Sequence, residues 1–399
     1  MKFDPVKVVY VYYVPQDDKI LVGRLALISR KIFFEYDPAF IKRGLNLSPF
    51  KLPLKPGVIP SNDFTFEGQF GVFNDSLPDG WGRLLLDRTL IKHHLNPGSL
   101  SVLDRLCFVG SQGMGALTYE PETESTPLLS HASLDEIAEE IFEFQEHDED
   151  RYIEDLLKLG GSSAGARPKV LMNLEKEPWL IKFPSHTDPK DIGAIEYAYH
   201  LMAKDAGLDV PEAKLFPSRK GPGFFGSKRF DRTDIGRIHM HTMSGLLHAD
   251  HRIPSLDYEI ILKATMHLTH NMRECEKQYR QCVFNVLSHN RDDHAKNFSF
   301  LMDQSGIWCL SPSYDLTFSS GPAGEHCSMV MGEGKNPGMS HLLELAKISS
   351  IQQIEAVNII SEVKSSVSKW PEFAEKASVS SASSKMIDSA ITKIIKENF

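Results

Sequence analysis

Strand-like and helix-like sequence are segregated along this chain, and that segregation limits its fold more than any other feature. KVVYVYYV (7–14), KILVGRLALIS (19–29) and KIFFEY (31–36) are β-branched and aromatic runs, the first two parted by the turn PQDD. SPFKLPLKPGVIP reads as loop, SLPDGWGRLLLDRTLIKHHL as a turn entering a helix, and LCFVGSQGMGALTYEP as a loop before a strand. An acidic stretch from about 120 to 157 follows, in which Ser133 and Glu136 stand at capping-box spacing before an amphipathic run. Beyond 159 come glycine-rich LGGSSAGARPKVLM, the short strand PWLIKF, the helix AIEYAYHLMAKDAGL ending at Gly207, and two strands in AKLFP and GFFGSKRFDR. From about 245 the pattern is mostly helical, clearest in DYEIILKATMHL and CEKQYRQCVFNVLSH; the tail past 340 is helical with a serine-rich break, SVSSASSK. The fold class is α+β. A β-rich N-terminal subdomain over 1–125, ending at ETESTP, precedes a small lobe over 126–232 and a largely helical C-terminal lobe over 233–399, with a cleft between the two lobes.

Bulk composition removes several function classes. The 399 residues are 41% hydrophobic and 24% charged, enough for a large core. A net charge of −9 leaves no basic footprint for wrapping nucleic acid. Five scattered cysteines without paired spacing read as free thiols in a reducing compartment. The apolar run in MKFDPVKVVYVYYV follows Asp4 and Pro5 and has no small-residue cleavage site after it, and nothing approaches a membrane span. The expected location is cytoplasmic, with no membrane partner.

VLSHNRDDHAKNFSF (286–300) crowds charge between apolar runs, so it is either a solvated turn or a site where charge is used. Asp292 is followed four residues on by Lys296 and five on by Asn297, and preceded by Arg291. Asp-x-x-x-x-Asn is the spacing of a protein-kinase catalytic loop. Phosphoryl transfer needs a carboxylate to orient the attacking hydroxyl and an amide oxygen nearby to hold magnesium. Asp293 lacks that spacing and reads as a solvated or capping carboxylate. After the strand IWCL, SPSYDLTF supplies Asp315 as a second metal-binding carboxylate. Upstream, Lys182 sits on the strand WLIKF as a phosphate-pairing lysine, and Glu196 lies in the next helix, where it can pair with Lys182. GSKRFDR would be the hinge whose backbone bonds adenine. The phosphate loop departs from G-x-G-x-x-G: it reads GGSSAGARPK, with Ser162 and Ser163 close to where a γ-phosphate would lie.

These stretches, SSAGARPK, WLIKFP, IEYAYHLMAKDAGLDVPEAKL, KRFDR, NRDDHAKNFSF and LSPSYDL, with FNDSLPDGWGR and FVGSQGMGAL in the opening unit, resemble the HipA family of toxin kinases from bacterial toxin–antitoxin modules. The resemblance covers nearly the whole chain. It implies a two-lobed protein-kinase-like fold and an ATP- and magnesium-dependent serine/threonine protein kinase. Typical members phosphorylate an aminoacyl-tRNA synthetase and halt translation, restrained by a small DNA-binding antitoxin (HipB-like) through which alone DNA is met. Carried across, Asp292 matches the catalytic aspartate, Asn297 and Asp315 the metal ligands, and Lys182 the phosphate-binding lysine. Lys228 and Phe230 match the hinge through main-chain atoms, and Asp231 the neighbourhood of the ribose. His294 and Lys296 lie in the catalytic loop and are counted among the ATP-binding residues, His294 as a brace. Ser162, Ser163, Ala164 and Gly165 form the ATP-binding loop; Ser162 matches the autophosphorylation serine, with adjacent Ser163 as the alternative. Where members often carry an acidic H-x-x-P-x-E-D segment, this chain reads RIHMHTMSGLLHAD, so the protein substrate does not carry over. His239, His241, His248 and His251 fall close together without metal-site spacing, and Trp81 reads as packing. A nucleotide-binding co-repressor acting through an antitoxin and a small-molecule kinase remain as alternatives.

Overall fold

A computed structural model describes residues 5–123, 133–147, 153–160 and 165–399. In the opening unit, β1 (Val8–Tyr13), β2 (Ile20–Ile28) and β3 (Lys31–Tyr36) pair antiparallel. With β4 (Val58–Pro60) and β5 (Leu117–Glu120) they make a five-stranded sheet ordered β4-β3-β2-β1-β5. The period of two is visible in β1, where Val9, Val11 and Tyr13 are buried and Val8 and Tyr10 are exposed. The helices here are α1 (Pro38–Arg43), α2 (Gly71–Asn74), α3 (Gly80–Lys92) and α4 (Val102–Val109). The stretch expected to be loop up to Pro60 ends instead in β4, because its last three residues pair with β3.

The small lobe holds α5 (Leu134–His147), α6 (Ile153–Gly160) and a sheet of β6 (Lys169–Leu174), β7 (Glu177–Lys182), β8 (Ala213–Phe216) and β9 (Phe224–Lys228), ordered β6-β7-β9-β8. Helix α7 (Ile192–Asp205) follows β7. The expected capping box is present: the Ser133 amide donates to Glu136 Oε2 at 2.7 Å and the Glu136 amide to Ser133 Oγ at 3.3 Å. Trp179, Ile181 and Phe183 pack with Ile137, Ile141 and Phe144, and with Trp81 and Leu85 from α3. This lobe's core therefore borrows from the opening unit. The 125/126 boundary lies outside the described residues.

After the hinge, β10 (Arg232–Thr233) and β11 (Gly236–Arg237) form a hairpin, and β12 (His239–Thr242) runs into α8 (Met243–Leu247). A short parallel pair, β13 (Leu256–Asp257) with β16 (Ser328–Met329), brackets α9 (Tyr258–Thr269) and α10 (Met272–Leu287) in the chain. The strands β14 (Ser299–Met302) and β15 (Trp308–Leu310) complete a sheet ordered β12-β14-β15. Four helices close the chain: α11 (Met339–Ile348), α12 (Gln353–Val367), α13 (Trp370–Lys376) and α14 (Ser381–Asn398). The serine-rich stretch expected to break the tail starts α14: Ser380 Oγ accepts from the Ser383 amide at 3.2 Å. One apolar core runs without interruption from Val9 and Phe34 of the first sheet through Tyr199 to Val283, Ile360 and Ile391. Among the described residues no helix is long and apolar enough to cross a membrane.

Candidate active site

Strand β7 carries Lys182 to the cleft, where its Nζ stands 2.8 Å from Glu196 Oε2 on α7 and also bonds the Asp315 carboxylate. Glu196 is buried and takes a second cation, Arg167, at 3.1 Å; the other arm of that guanidinium reaches Asp188 at 3.2 Å. Removing Lys182 or Arg167 would leave the buried Glu196 carboxylate under-compensated, at a cost that the partial exposure of Arg167 and Asp315 reduces. Burial works against the charge on Lys182, but Asp315 and Glu196 outweigh it and raise its pKa. Burial likewise works against the Asp315 carboxylate, and Lys182 and Lys169 overcome it, holding Asp315 well below the usual carboxylate range. Asp315 adopts φ +57°, the left-handed region that non-glycine residues seldom occupy; such strain marks a position held by its surroundings.

The loop expected to be catalytic leaves α10 through a turn at His289 and enters β14 through a 3-10 turn, Ala295–Asn297. Its two aspartates point opposite ways. Asp292 is half exposed and lines the cleft, with His294 Nε2 at 3.8 Å from Oδ1. Partial burial pushes the Asp292 carboxyl up, His294 pulls it down, and Asp315 adds a further push upward. Asn297 Nδ2 donates to the Asp292 carbonyl at 2.7 Å, fixing the side chain and leaving its amide oxygen as the group available to a cation. Asp293 is not the solvated carboxylate expected. It is buried, accepting from Tyr258 OH and His326 Nδ1 at 2.9 Å each and from the Ser328 amide at 3.2 Å. Those three partners brace the loop from beneath.

Asp292, Asn297, Asp315, Lys182, Lys296 and His294 line one cavity of about 730 Å³, a volume typical of small-molecule sites. Lys228, Phe230 and Gly165 line it too. The Lys228 amide donates to the Glu212 carbonyl at 2.8 Å and its ammonium pairs with Glu177 at 2.7 Å, while the Phe230 ring lies 5.6 Å from Tyr314. Asp231, expected near the ribose, does not line the cavity. It is wholly buried and accepts from Arg229, Arg232 and the Gly115 amide, tying the hinge to the opening unit. Ser162, Ser163 and Ala164, and with them the proposed phosphosite, lie outside the described residues. The donor set fits a hard cation: Asn297 and Asp315 offer oxygen ligands only.

Three cleft residues escaped sequence reasoning. Arg167 and Lys169 stand in the quoted GGSSAGARPK stretch, which was valued for its backbone alone; Lys169 is buried on the cavity wall, and burial lowers its pKa. Asp79 comes from the opening unit, and no spacing in the sequence ties it to residue 296. The four histidines turn to separate partners: His239 to the Leu47 carbonyl, His241 to Asp75 and Ser48, His248 to Asp63, and His251 towards Asp79. Ser48, His241 and Asp75 follow the order of a hydrolytic triad, but Ser48 and His241 are buried and neither lines the cavity. Trp81 packs edge-on to Phe144.

Comparison with known proteins bears on the family and the fold. A candidate kinase of Haemophilus influenzae is 25% identical over 179 residues, 39% of this chain; the match spans about half of that relative's length, 52%. A HipA solved in complex with HipB and operator DNA, from the toxin–antitoxin system of Shewanella oneidensis, superposes with a TM-score of 0.69 at 17% identity, covering 97% of this chain and 96% of its own. The Helicobacter pylori proinflammatory kinase CtkA aligns over 57% of this chain and 94% of its own at 15% identity, with a TM-score of 0.37. The two-lobed, kinase-like α+β fold is thereby shown by the Shewanella likeness. The HipA N-terminal domain matches residues 16–120 and the HipA-like C-terminal domain residues 161–370, so the chain belongs to the HipA family.

Proposed function

We propose that this chain is a toxin kinase that moves the γ-phosphoryl group of ATP to a serine or threonine hydroxyl of a protein, with magnesium as cofactor. The observation that carries the reading is Lys182 held by both Glu196 and Asp315 in the cavity that Asp292 and Asn297 line. Asp292 would accept and orient the substrate hydroxyl; its raised pKa suits a group that takes a proton. Asn297 and Asp315 would hold magnesium, which would supply positive charge against the phosphates. Lys182 would steady the phosphates, and the Lys228–Phe230 backbone bounds the side of the cavity where a purine would lie. His294 and Lys296 line the same wall as Asp292.

The family carries the rest of the proposal. The HipA of Shewanella was solved with HipB and operator DNA, and by that likeness the partner here is a small DNA-binding antitoxin. The net charge of −9 fits a partner of opposite sign and leaves DNA contact to that partner. Ser162, with Ser163 as the alternative, is proposed as the site of autophosphorylation, and an aminoacyl-tRNA synthetase, the target of typical members, is the first protein substrate to try. Intact-mass and peptide mass spectrometry after incubation with Mg-ATP tests this. Wild type is expected to gain one phosphate on the peptide containing Ser162 and Ser163, and Asp292→Asn to lose transfer by about 10²- to 10⁴-fold. Undiminished transfer in Asp292→Asn would reject the assignment, and nucleotide binding with no transfer to itself or to any lysate protein would make the chain a binding module.

A further inference from the structure

We propose that Asp79, lent to the cleft by the opening unit, is a positioning residue that holds Lys296 of the catalytic loop and the Gly165 amide in one fixed relation to Asp292. This rests on the kinase reading above. Lys296 Nζ donates to Asp79 Oδ2 at 2.6 Å, and the other carboxylate oxygen accepts from the Gly165 amide. The contacts join residues far apart in the chain, and each comes from a different unit of the molecule.

The placement runs against the ordinary use of such a residue. Asp79 occupies the N-cap position of α3, where a carboxylate normally accepts from the first turn of its own helix. It makes no such bond and turns to Gly165 and Lys296 instead. Both donors are of the kind that phosphate oxygens attract, which a placeholder displaced by nucleotide would also satisfy. The surroundings argue otherwise. The Trp81 amide donates to the Gly165 carbonyl at 2.9 Å, and Gly80, at φ +35°, lies so close to Gly165 and Ala166 that a Cβ would collide with their backbone. The Trp81 ring is buried against Phe144. With the backbone of Gly80 and Trp81 packed directly against Gly165, the geometry favours Asp79 as a fixture. Its carboxyl is held below its ordinary value: burial raises it, but Lys296, the Gly165 amide and His251 together lower it by more. Lys296 is four residues from Asp292 and adjacent to Asn297, and its carbonyl accepts from Tyr314 next to Asp315. A shift of its backbone would move the groups that do the chemistry.

A double-mutant cycle tests the assignment, using Asp79→Asn, Lys296→Met and the pair on the full chain. Asp79→Asn is expected to lower kcat by up to about 100-fold, the loss that a misplacement of about 1 Å produces, with the KM for ATP changed far less. The double variant is expected to lose little more than Lys296→Met alone; additive losses in kcat would overturn the proposal. Amide exchange at Gly165, measured without nucleotide, is expected to quicken in Asp79→Asn, and unchanged exchange would count against the clasp. Because that readout needs no turnover, it separates failure of the clasp from failure of the kinase reading, which shows as no transfer by wild type. Should Asp79→Asn not fold, Asp79→Glu replaces it: a reduced kcat at unchanged melting temperature supports the role, and an unchanged kcat overturns it.

Discussion

Asp292 and Asp293 are neighbours in the chain with opposite fates, one facing the cavity and one sunk beneath it with three hydrogen-bond partners. The same rule, that a buried polar group is tolerated only with a partner or without its charge, governs the histidines. His239 is fully buried, and burial followed by the nearness of His241 lowers its pKa to about 4. An unfolded histidine titrates near about 6.5, so between those two values the unfolded chain binds the additional proton. Stability then rises with pH across that window, and acidification from about 6.5 towards about 4 removes up to about 3 kcal/mol for this one group. His200 and His251, also lowered to about 4, act in the same direction. Urea midpoints measured at about pH 7 and about pH 5 should fall on acidification in wild type and fall less steeply in His239→Phe. An equal slope would show that His239 does not carry the proton. The residues proposed for the chemistry were picked out by their spacing, because phosphoryl transfer calls for Asp, Asn, Asp and Lys in a set order, and the fold brings them to one cavity. Asp79, Arg167 and the inward turn of Asp293 were not, since each depends on what faces it across the fold.

At the scale of elements, strands and helices follow their patterns closely, and the departures occur where a terminus is decided by one side chain. Ser380 was read as part of a break and is a cap; its amide also donates to Asp191 Oδ2 at 2.9 Å, which moors α14 to the start of α7. Serine clusters favour non-helical local bonding, and the sequence alone does not tell a cap from a linker. Ser380→Ala should cost about 1 kcal/mol, read as a lower urea midpoint with the activity of the folded fraction unchanged. A shift no larger than that of a surface control such as Ser378→Ala would remove the capping role. The β4 strand is the converse case: Val58–Pro60 carry no strand pattern of their own and are recruited by the edge of β3.

For the whole molecule, the order of units along the chain does not correspond to separable bodies. The first sheet and the C-terminal helices share one core, and Trp81 and Leu85 complete the core of the small lobe. A core divided among units unfolds as one, so tryptophan fluorescence and far-ultraviolet dichroism should report coincident transitions. The four tryptophans sample both cores, which makes the comparison decisive; separated midpoints would contradict a shared core. A chain of residues 133–399 alone should be insoluble, having lost the partners of its buried apolar faces. Two lobes and a cleft were legible in the sequence; the fusion of the opening unit into both cores was not, because periodicity shows that a face is buried and not what covers it. The Asp79 clasp places this dependence in the order of synthesis. Residue 79 leaves the ribosome long before residues 296 and 315, so a nascent chain carries half of a cleft until its last third has emerged. On the proposed function, a truncated product ending before Asp315 would be inert however well its first sheet has folded, and the interval before completion would be one in which such a chain does no harm.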